Sequence, residues 1–382
     1  GQTVTSDPIN GYATSIQDTL GTIATYTYGT GAVLTAVEYP DGSKYQFSYV
    51  SSANGQVISQ VTDALNNVLE AHTYDGQGRA LTSEKHGGVE KVTLSYASAT
   101  RTDVTDALGR VTNYFIDTTK GRSLVTKIEG SCGCGGGTVS QTWAYDSQFN
   151  IASRTNGLGQ SMSYTYDSSG NPLTMTDALG TTTFTYNNFG QVLTASDSIG
   201  LIVTNTYDVK GNLLSSKDAL NNESTFTYDT RGQLLTATNA RNKVTTFGYD
   251  TGGNLTQKTG AANNTTAFAY DARGRLTTLT DALNNVSSVE YDSAGRVKKL
   301  IAPDNSFYLL TYDTAGRRTK ITDARNNATN YGYDSAYRLT SVTNADNKVT
   351  SYSYDLMSNL TGVTDALSRA TDYEYDSFNR LN

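Results

Sequence analysis

The chain has 382 residues and a formal net charge of −7 at pH 7. Its basic residues form no cluster or stripe, which disfavours nucleic-acid binding, and no apolar run approaches the ~18 residues that a membrane helix needs. Only 37% of the residues are hydrophobic, and this share includes 27 tyrosines. Aromatic side chains must therefore supply much of the burial, since each can hide roughly 150–250 Å².

Residues 1–144 carry an irregular version of a short repeat. Tyr74-Asp75 and Asp106-Ala107-Leu108 keep its two landmarks, whereas insertions at residues 51–55 and 131–137 break the spacing. We interpret these insertions as longer surface loops on the same array, with no separate domain.

Residues 145–382 repeat with a regular period, and the landmark is a Tyr-Asp step in which Asn replaces Asp once. The landmark tyrosines are Tyr145, Tyr166, Tyr186, Tyr207, Tyr228, Tyr249, Tyr270, Tyr291, Tyr312, Tyr333, Tyr354 and Tyr375. Successive members lie 21 residues apart, except for one step of 20. A fixed period over so many copies indicates a repeat architecture. We predict one continuous array with regions 1–144 and 145–382, as a fragment of a larger chain.

Each repeat predicts a β-hairpin. Residues 275–280 and 286–291 are rich in Thr, Leu, Val and Ser, and the segments between such strands begin with Asp281 or Asp292. Asp at the first position of a turn can accept backbone N–H groups, and Gly or Asn near its end supplies a positive φ. Turns every ten or so residues leave no room for helices. We therefore expect an all-β fold with under ~5% helix.

The second strand of each repeat shows an aromatic-x-Tyr pattern, as in Phe226/Tyr228 and Phe268/Tyr270. Residues two apart share one face of a sheet, so one face should be an aromatic ladder and the other small and polar. In the first strand Leu276 and Leu279 are three apart, which predicts a bulge or a strong twist.

The number of strands constrains how the array packs. A period of 21 residues gives about 18 hairpins and about 36 strands, and neighbouring strands twist by ~20–25°. We predict a sheet coiled into a spiral or solenoid with a hollow interior, because aliphatic residues are too few to fill a wide one. The alternative is a compact solenoid, with the two strands of each hairpin in facing sheets over a dry aromatic core.

The segment from Tyr270 to Leu276, Tyr-Asp-Ala-Arg-Gly-Arg-Leu, resembles the RHS/YD-repeat family. That family includes bacterial polymorphic toxins, shell components of insecticidal toxin complexes, wall-associated bacterial proteins and the animal teneurins. The resemblance implies a β-hairpin spiral that builds a hollow cocoon. In the toxin members it also implies a C-terminal payload, released by a self-cleaving Asp-Pro-x-Gly motif. The one Asp-Pro step here, Asp7-Pro8, lacks that motif.

Candidate sites outside the repeat are few. Cys132 and Cys134 could form a local disulfide, stay as free thiols or simply lie in a loop, and a metal is disfavoured because His72 and His86 are far away in sequence. The Asp of each Tyr-Asp step is interpreted as a turn cap and not as a calcium ligand, because no calcium-loop spacing occurs. We predict no metal and no cofactor.

Polar side chains that recur in every copy favour a structural role, because a catalytic site is normally unique. The chain also lacks the serine-hydrolase, zinc-protease and phosphate-loop motifs, and we predict that it is not an enzyme. Glycosylation sequons at Asn222, Asn264 and Asn285 are expected by chance in so Asn- and Thr-rich a sequence.

These observations favour a structural segment of a large secreted or cell-surface protein, forming a shell that encapsulates or scaffolds, for example around a toxin payload. One alternative is an extracellular filament of stacked repeats, and another is a carbohydrate-binding adhesin. The predicted partners are the rest of its own polypeptide and a cargo domain, with self-association and glycans belonging to the two alternatives.

Overall fold

The computed structural model describes residues 2–8, 11–53, 55–119, 121–131, 138–376 and 379–381. Within these ranges the chain forms one sheet of 35 strands, in which consecutive strands pair antiparallel, and a single short 3₁₀ helix, His86–Gly88. The predicted all-β fold of tandem hairpins, nearly free of helix, is confirmed.

The chain divides into two compact units. Unit 1 comprises Gly1–Tyr114, Gly130–Thr138 and Ser287–Asn382, and unit 2 comprises Phe115–Glu129 and Val139–Val286. We call residues 1–114 the first run of unit 1 and residues 287–382 its second run. The predicted division at residues 144 and 145 stays a prediction.

The strands of the first run of unit 1 are β1 (Thr3–Ser6), β2 (Ala13–Asp18), β3 (Gly21–Tyr28), β4 (Leu34–Glu38), β5 (Lys44–Ser52), β6 (Gly55–Asp63), β7 (Val68–Tyr74), β8 (Ala80–Glu84), β9 (Val92–Ser98), β10 (Arg101–Thr105) and the beginning of β11 (Val111–Asp117).

The strands of unit 2 are β12 (Leu124–Ser131), which ends beyond it, β13 (Thr138–Tyr145), β14 (Ile151–Thr155), β15 (Ser161–Tyr166), β16 (Pro172–Asp177), β17 (Gly180–Tyr186), β18 (Val192–Ser196), β19 (Leu201–Tyr207), β20 (Leu213–Asp218), β21 (Glu223–Tyr228), β22 (Leu234–Thr238), β23 (Val244–Tyr249), β24 (Leu255–Thr259), β25 (Thr265–Tyr270) and β26 (Leu276–Thr280).

The strands of the second run of unit 1 are β27 (Val286–Tyr291), which begins at the unit boundary, β28 (Val297–Ile301), β29 (Phe307–Tyr312), β30 (Arg318–Asp323), β31 (Ala328–Tyr333), β32 (Leu339–Thr343), β33 (Val349–Tyr354), β34 (Leu360–Thr364) and β35 (Ala370–Asp372).

Two kinds of turn alternate along the array. A Tyr-Asp turn, such as residues 271–275, follows the tyrosine that ends a strand, and an Asp-Ala-Leu turn, such as residues 281–285, lies at the other end of the strands. We expected a strand from Arg275, but β26 starts at Leu276, because Arg275 still belongs to the turn. Its carbonyl accepts the Asp271 N–H at 2.9 Å, and its N–H donates to Asp271 Oδ1 at 3.0 Å.

A β-bulge explains the irregular spacing of the leucines. Phe268 pairs with Leu279 and Tyr270 pairs with Leu276, so one extra residue of β26 lies between the pairs. Leu276 and Leu279 therefore reach the same face as the two aromatic residues, although they are three apart. The predicted bulge is confirmed, and the same register shift precedes the tyrosine in the neighbouring repeats.

The other face of the sheet carries hydroxyl pairs across neighbouring strands. The side chains of Thr227 and Thr236 are hydrogen bonded at 2.6 Å, and those of Thr185 and Thr194 at 2.7 Å. Cross-strand Thr pairs stabilise a sheet without apolar burial. This face suits contact with water.

The sheet buries few side chains completely. Of the described residues, the buried apolar ones are Ala24, Val89 and Ala195, and the landmark tyrosines are half-buried. The two strands of each hairpin pair side by side in one sheet. They do not lie in facing sheets, so the alternative of a two-sheet solenoid with a dry aromatic core is wrong.

The insertion at residues 51–55 was expected to be a surface loop, but it lengthens a hairpin. Ser51 and Ser52 end β5 and Gly55 begins β6, giving two strands of nine residues each. The reason is that Ser52 pairs with Gly55, which continues the ladder to the tip. In the second insertion Ser131 ends β12, and residues 132–137, with Cys132 and Cys134, lie outside the described residues.

Candidate functional site

The landmark tyrosines connect the two strands of a hairpin through their hydroxyl groups. Tyr270 Oη donates to the carbonyl oxygen of Leu255, the first residue of β24, at 2.8 Å. The same bond, at 2.6–3.1 Å and to a carbonyl at or near the start of the corresponding strand, is made by Tyr145, Tyr166, Tyr186, Tyr207, Tyr249, Tyr270, Tyr312, Tyr333, Tyr354 and Tyr375. Tyr228 and Tyr291 end β21 and β27 at the equivalent position.

The bulge gives this bond its physical reason. The register shift falls where Tyr249 pairs with Leu255, at the start of β24. A carbonyl beside a bulge needs a partner outside the regular ladder, and the next tyrosine supplies it. Burial raises the pKa of the Tyr166, Tyr186 and Tyr228 hydroxyls, so these groups stay neutral.

Arginines of the Tyr-Asp turns add a connection between repeats. The guanidinium carbons of Arg296 and Arg338 lie 4.6 Å and 5.1 Å from the ring centroids of Tyr312 and Tyr354, the tyrosines of the next repeat. Cation–π contacts at this distance contribute about 0.5–1 kcal/mol at exposed sites. These two Tyr-Asp turns are therefore tied to the hairpins that follow them.

The aspartates act as clamps inside both kinds of turn. Asp281 Oδ1 accepts the N–H groups of Leu283 and Asn285 at 2.8 and 2.9 Å, and Oδ2 accepts the Asn285 side chain at 2.9 Å. The bonds from the Asn285 side chain and backbone lower the pKa of Asp281. At Asp271 burial opposes the shift, but the Arg275 side chain and backbone outweigh it and lower the pKa.

A contact that the sequence analysis missed joins the two runs of unit 1. Tyr337 Oη donates to Asp63 Oδ2 at 2.6 Å, and Asp63 is 1% exposed. Tyr337 stands where most Tyr-Asp turns have Gly, with φ +67°. This backbone region is unfavourable for a bulky residue. The one available signal was this replacement of Gly by Tyr.

The pKa shifts of Asp63 and Tyr337 agree with this hydrogen bond. Burial would raise the pKa of Asp63, but hydrogen bonds from Tyr337, Asn67 and Leu65 lower it overall. Burial first, and then the bond to Asp63, raise the pKa of Tyr337. The carboxylate and the neutral phenol thus stabilise each other.

Three further pairs of turns meet along this junction, which we call the seam. Arg296 Nη2 lies 2.7 Å from Asp41 Oδ2, and the Glu90 N–H donates to the Leu356 carbonyl at 2.7 Å. Arg110 donates to the Asp376 carbonyl at 3.3 Å, and to Asn379 Oδ1 at 2.9 Å. In each case the first run contributes a turn from the Asp-Ala-Leu end of its strands, and the second run contributes a Tyr-Asp turn. A cleft of about 260 Å³ lies in the seam, lined by Tyr39, Tyr45, Asp63, Arg296 and Ala315 among others.

The remaining candidates named in the sequence analysis include two histidines and the sequon asparagines. His72 Nε2 lies 3.5 Å from Glu70 Oε2, and His86 begins the 3₁₀ helix. Across the described part of the chain, no group of three or more His, Cys, Asp or Glu side chains is arranged to hold a metal ion. The sequon side chains of Asn222 and Asn285 donate to turn aspartates at 2.9 Å. No helix in the described ranges is long and apolar enough to span a bilayer.

Comparison with known families gives a clear assignment. The family model of the teneurin YD-shell matches residues 122–285 and 261–382, which together cover about two thirds of the chain. The chain belongs to the teneurin YD-shell family. The resemblance to RHS/YD-repeat proteins is confirmed. A comparison with curated proteins found no match.

Solved structures show the same fold along the whole chain. It is similar to a crystal structure of TcdB2-TccC3-Cdc42 (TM-score 0.73, 18% identity) and to one of TcdB2-TccC3 without the hypervariable C-terminal region (TM-score 0.74, 17% identity). A Photorhabdus luminescens Tc holotoxin pore with a TccC3 mutation is also similar, with TM-score 0.56 and 13% identity. This YD-shell chain aligns over 100% of its own length and spans only 23–26% of theirs.

Proposed function

We propose that this chain is a non-enzymatic segment of a large secreted or cell-surface YD-shell protein. Its hairpins would coil into a hollow shell that encapsulates or scaffolds another polypeptide. One of the similar structures is a Tc holotoxin, and by this likeness the proposed cargo is a toxin domain.

The observation that carries the proposal is the sequence separation across the seam. The residues joined there lie 266, 269 and 274 positions apart. At 21 residues per repeat, that is about 13 hairpins between one contact and its partner. A narrow rod with one hairpin per layer would bring neighbouring repeats together instead. A wide coil is what such long separations support.

The absence of enzymatic activity is proposed from the same repetition. The most elaborate polar arrangements are the turn clamps, and the same clamp recurs at Asp167, Asp208, Asp281 and Asp323. Their carboxylates are occupied by their own turns. Such groups stabilise the shell, and any chemistry belongs to the polypeptide that the shell encloses.

Electron-microscopy projections of the purified chain test the proposal. We expect particles with a curved wall, several strands wide, that surrounds an empty axis. A straight, narrow rod without an axial void would overturn the shell and favour a filament.

A further inference from the structure

Three consecutive Tyr-Asp turns of unit 1 lack the glycine that most turns of this kind have. The fourth position of the turn, which is Gly274 in residues 271–275, is held in these three turns by Tyr337, Ser358 and Asn379. All three residues have left-handed φ angles, of +67°, +63° and +59°. Glycine adopts this conformation without strain, whereas Tyr and Ser adopt it rarely. The turn itself therefore does not explain the choice of these residues.

The first and the last of these side chains each contact a turn of the first run. Tyr337 Oη donates to Asp63 Oδ2 at 2.6 Å. Asn379 Oδ1 accepts a hydrogen bond from Arg110 Nη2 at 2.9 Å. The two partners have opposite charges, so a phenol that donates meets a carboxylate and an amide oxygen that accepts meets a guanidinium.

Ser358 contacts the first-run turn that lies between these two. The Glu90 N–H donates to the Leu356 carbonyl at 2.7 Å, which places the turn of Ser358 against Glu90. Hydrogen bonds from Lys85 and then from Ser358 lower the pKa of Glu90. Each of the three replacements of glycine thus has its own partner across the seam.

The three contacts pair one turn with one turn, in the same order along both runs. Consecutive turns of the first run meet consecutive Tyr-Asp turns of the second, and the pairs are residues 63–67 with 334–338, 85–91 with 355–359, and 106–110 with the turn of Asn379. Neighbouring turns are two strands apart, about 10 Å. If the two runs slid past each other by one hairpin, all three contacts would be lost.

The glycine is kept in the two Tyr-Asp turns that precede these three. They contain Gly295 and Gly316, and the cleft in the seam is lined there by Ala294 and Gly316. In the turn of Gly295 the contact with the first run comes from the next residue, Arg296, which binds Asp41. In the second run, glycine is thus replaced where the side chain at this position itself reaches the first run.

We infer that Tyr337, Ser358 and Asn379 determine the register of the seam. They are positioning residues, because each one matches a particular turn of the first run and loses that match when the register shifts. The register fixes the number of hairpins in one turn of the coil and therefore the width of the shell. This inference rests on the proposed shell and names the residues that set its circumference.

The variant Arg296→Lys reports the register. In the register of the structure, a zero-length carbodiimide should join position 296 to Asp41, whose Oδ2 lies 2.7 Å from Arg296 Nη2. A shift by one hairpin in either direction would bring position 296 to Asp18 or Asp63, because these residues begin the adjacent turns of the first run. Mass spectrometry of the digested monomer distinguishes the three cross-linked peptides.

The test replaces Tyr337, Ser358 and Asn379 together with glycine in the Arg296→Lys background. Because glycine suits the left-handed conformation, the hairpins should stay intact, as circular dichroism should show. The ratio of the 41–296 link to the 18–296 and 63–296 links should fall at least about tenfold, the factor expected from the loss of one hydrogen bond to a charged group. The matched control is Phe149→Gly, at the same position of a unit 2 turn and with φ +69°, which should leave the ratio unchanged.

Three results would overturn the inference and leave the shell intact. They are an unchanged ratio in the triple variant, an equal fall in the control, and a weaker 41–296 link without any shifted link. In the last case the three residues would strengthen the seam without selecting its register. A fourth result is distinct, because Arg296→Lys alone would give no link between position 296 and the first run. The coil would then be absent, and the proposed shell would fail together with the inference.

Discussion

At the scale of single residues, the landmark tyrosines have two roles, ring packing and a hydrogen bond from the hydroxyl, and phenylalanine could fill only the first. The ring of Tyr270 lies on the aromatic face beside Phe268, and its hydroxyl satisfies the carbonyl of Leu255. Phe at that position would keep the ring contacts but leave the carbonyl without this donor. Tyrosine at the landmark positions is therefore explained by the bulge that recurs between neighbouring hairpins in the described repeats.

This role predicts a modest and specific loss of stability. Tyr270→Phe should destabilise the hairpin of β24 and β25 by about 1 kcal/mol, the net value of one hydrogen bond. Tyr270→Ala should cost about 2 kcal/mol, less than a fully buried aromatic residue, because the ring is half-buried. Hydrogen exchange of amides in β24 and β25 measures the local effect. Tyr308→Phe is the control, since Tyr308 is 54% exposed, and an equal loss there would contradict the assigned role.

The bond between Asp63 and Tyr337 predicts a pH window for the seam. The pKa of Asp63 is lowered by folding, so its contribution is present above about pH 4 and is lost as the pH falls further. The pKa of Tyr337 is raised, so its contribution is present below about pH 10 and is lost as the pH rises above that.

The protection of amides at residues 63–67, taken relative to their intrinsic exchange at each pH, should therefore be constant between these limits and lower outside them. Tyr337→Phe should lower this protection within the window and remove the alkaline change. An alkaline change that persists in this variant would show that another group is responsible.

At the scale of the hairpin, the turn clamps should determine local stability. Asp271→Ala removes the acceptor for the Arg273 and Arg275 N–H groups and for the Arg275 side chain, and should cost about 2 kcal/mol. Asp271→Asn should cost less, because Asn187 accepts the equivalent backbone N–H groups in its own turn. Local hydrogen exchange distinguishes the two, and equal losses would mean that charge matters more than the accepted bonds.

The hairpins could be predicted from the sequence because their causes are local. The Asp and Asn or Gly of each turn, the aromatic-x-Tyr alternation and the spacing of Leu276 and Leu279 all act within about 21 residues. The errors arose where a local rule was incomplete. Arg275 was predicted to begin a strand but closes a turn. The insertion at residues 51–55 was predicted to be a loop but extends the pairing of β5 with β6.

At the scale of the whole chain, the seam could not be predicted because its partners are far apart in sequence. Nothing in the period indicates that Asp41 meets Arg296 or that Asp63 meets Tyr337. The replacement of Gly by Tyr337 in a Tyr-Asp turn is the feature that could have indicated a distant contact. Its positive φ is strained, and strain of this kind persists only where other contacts support it. Here the contact with Asp63 is that support.

The most direct test of the shell is therefore a chemical one at the seam. In the variant Arg296→Lys, a zero-length carbodiimide should join position 296 to Asp292 within its turn, and to Asp41 across the seam, because Arg296 Nη2 lies 2.8 Å and 2.7 Å from those carboxylates. Mass spectrometry of the digested monomer should find both cross-linked peptides. Recovery of the 292–296 link without the 41–296 link would contradict the account, because the sheet would then not return to meet itself.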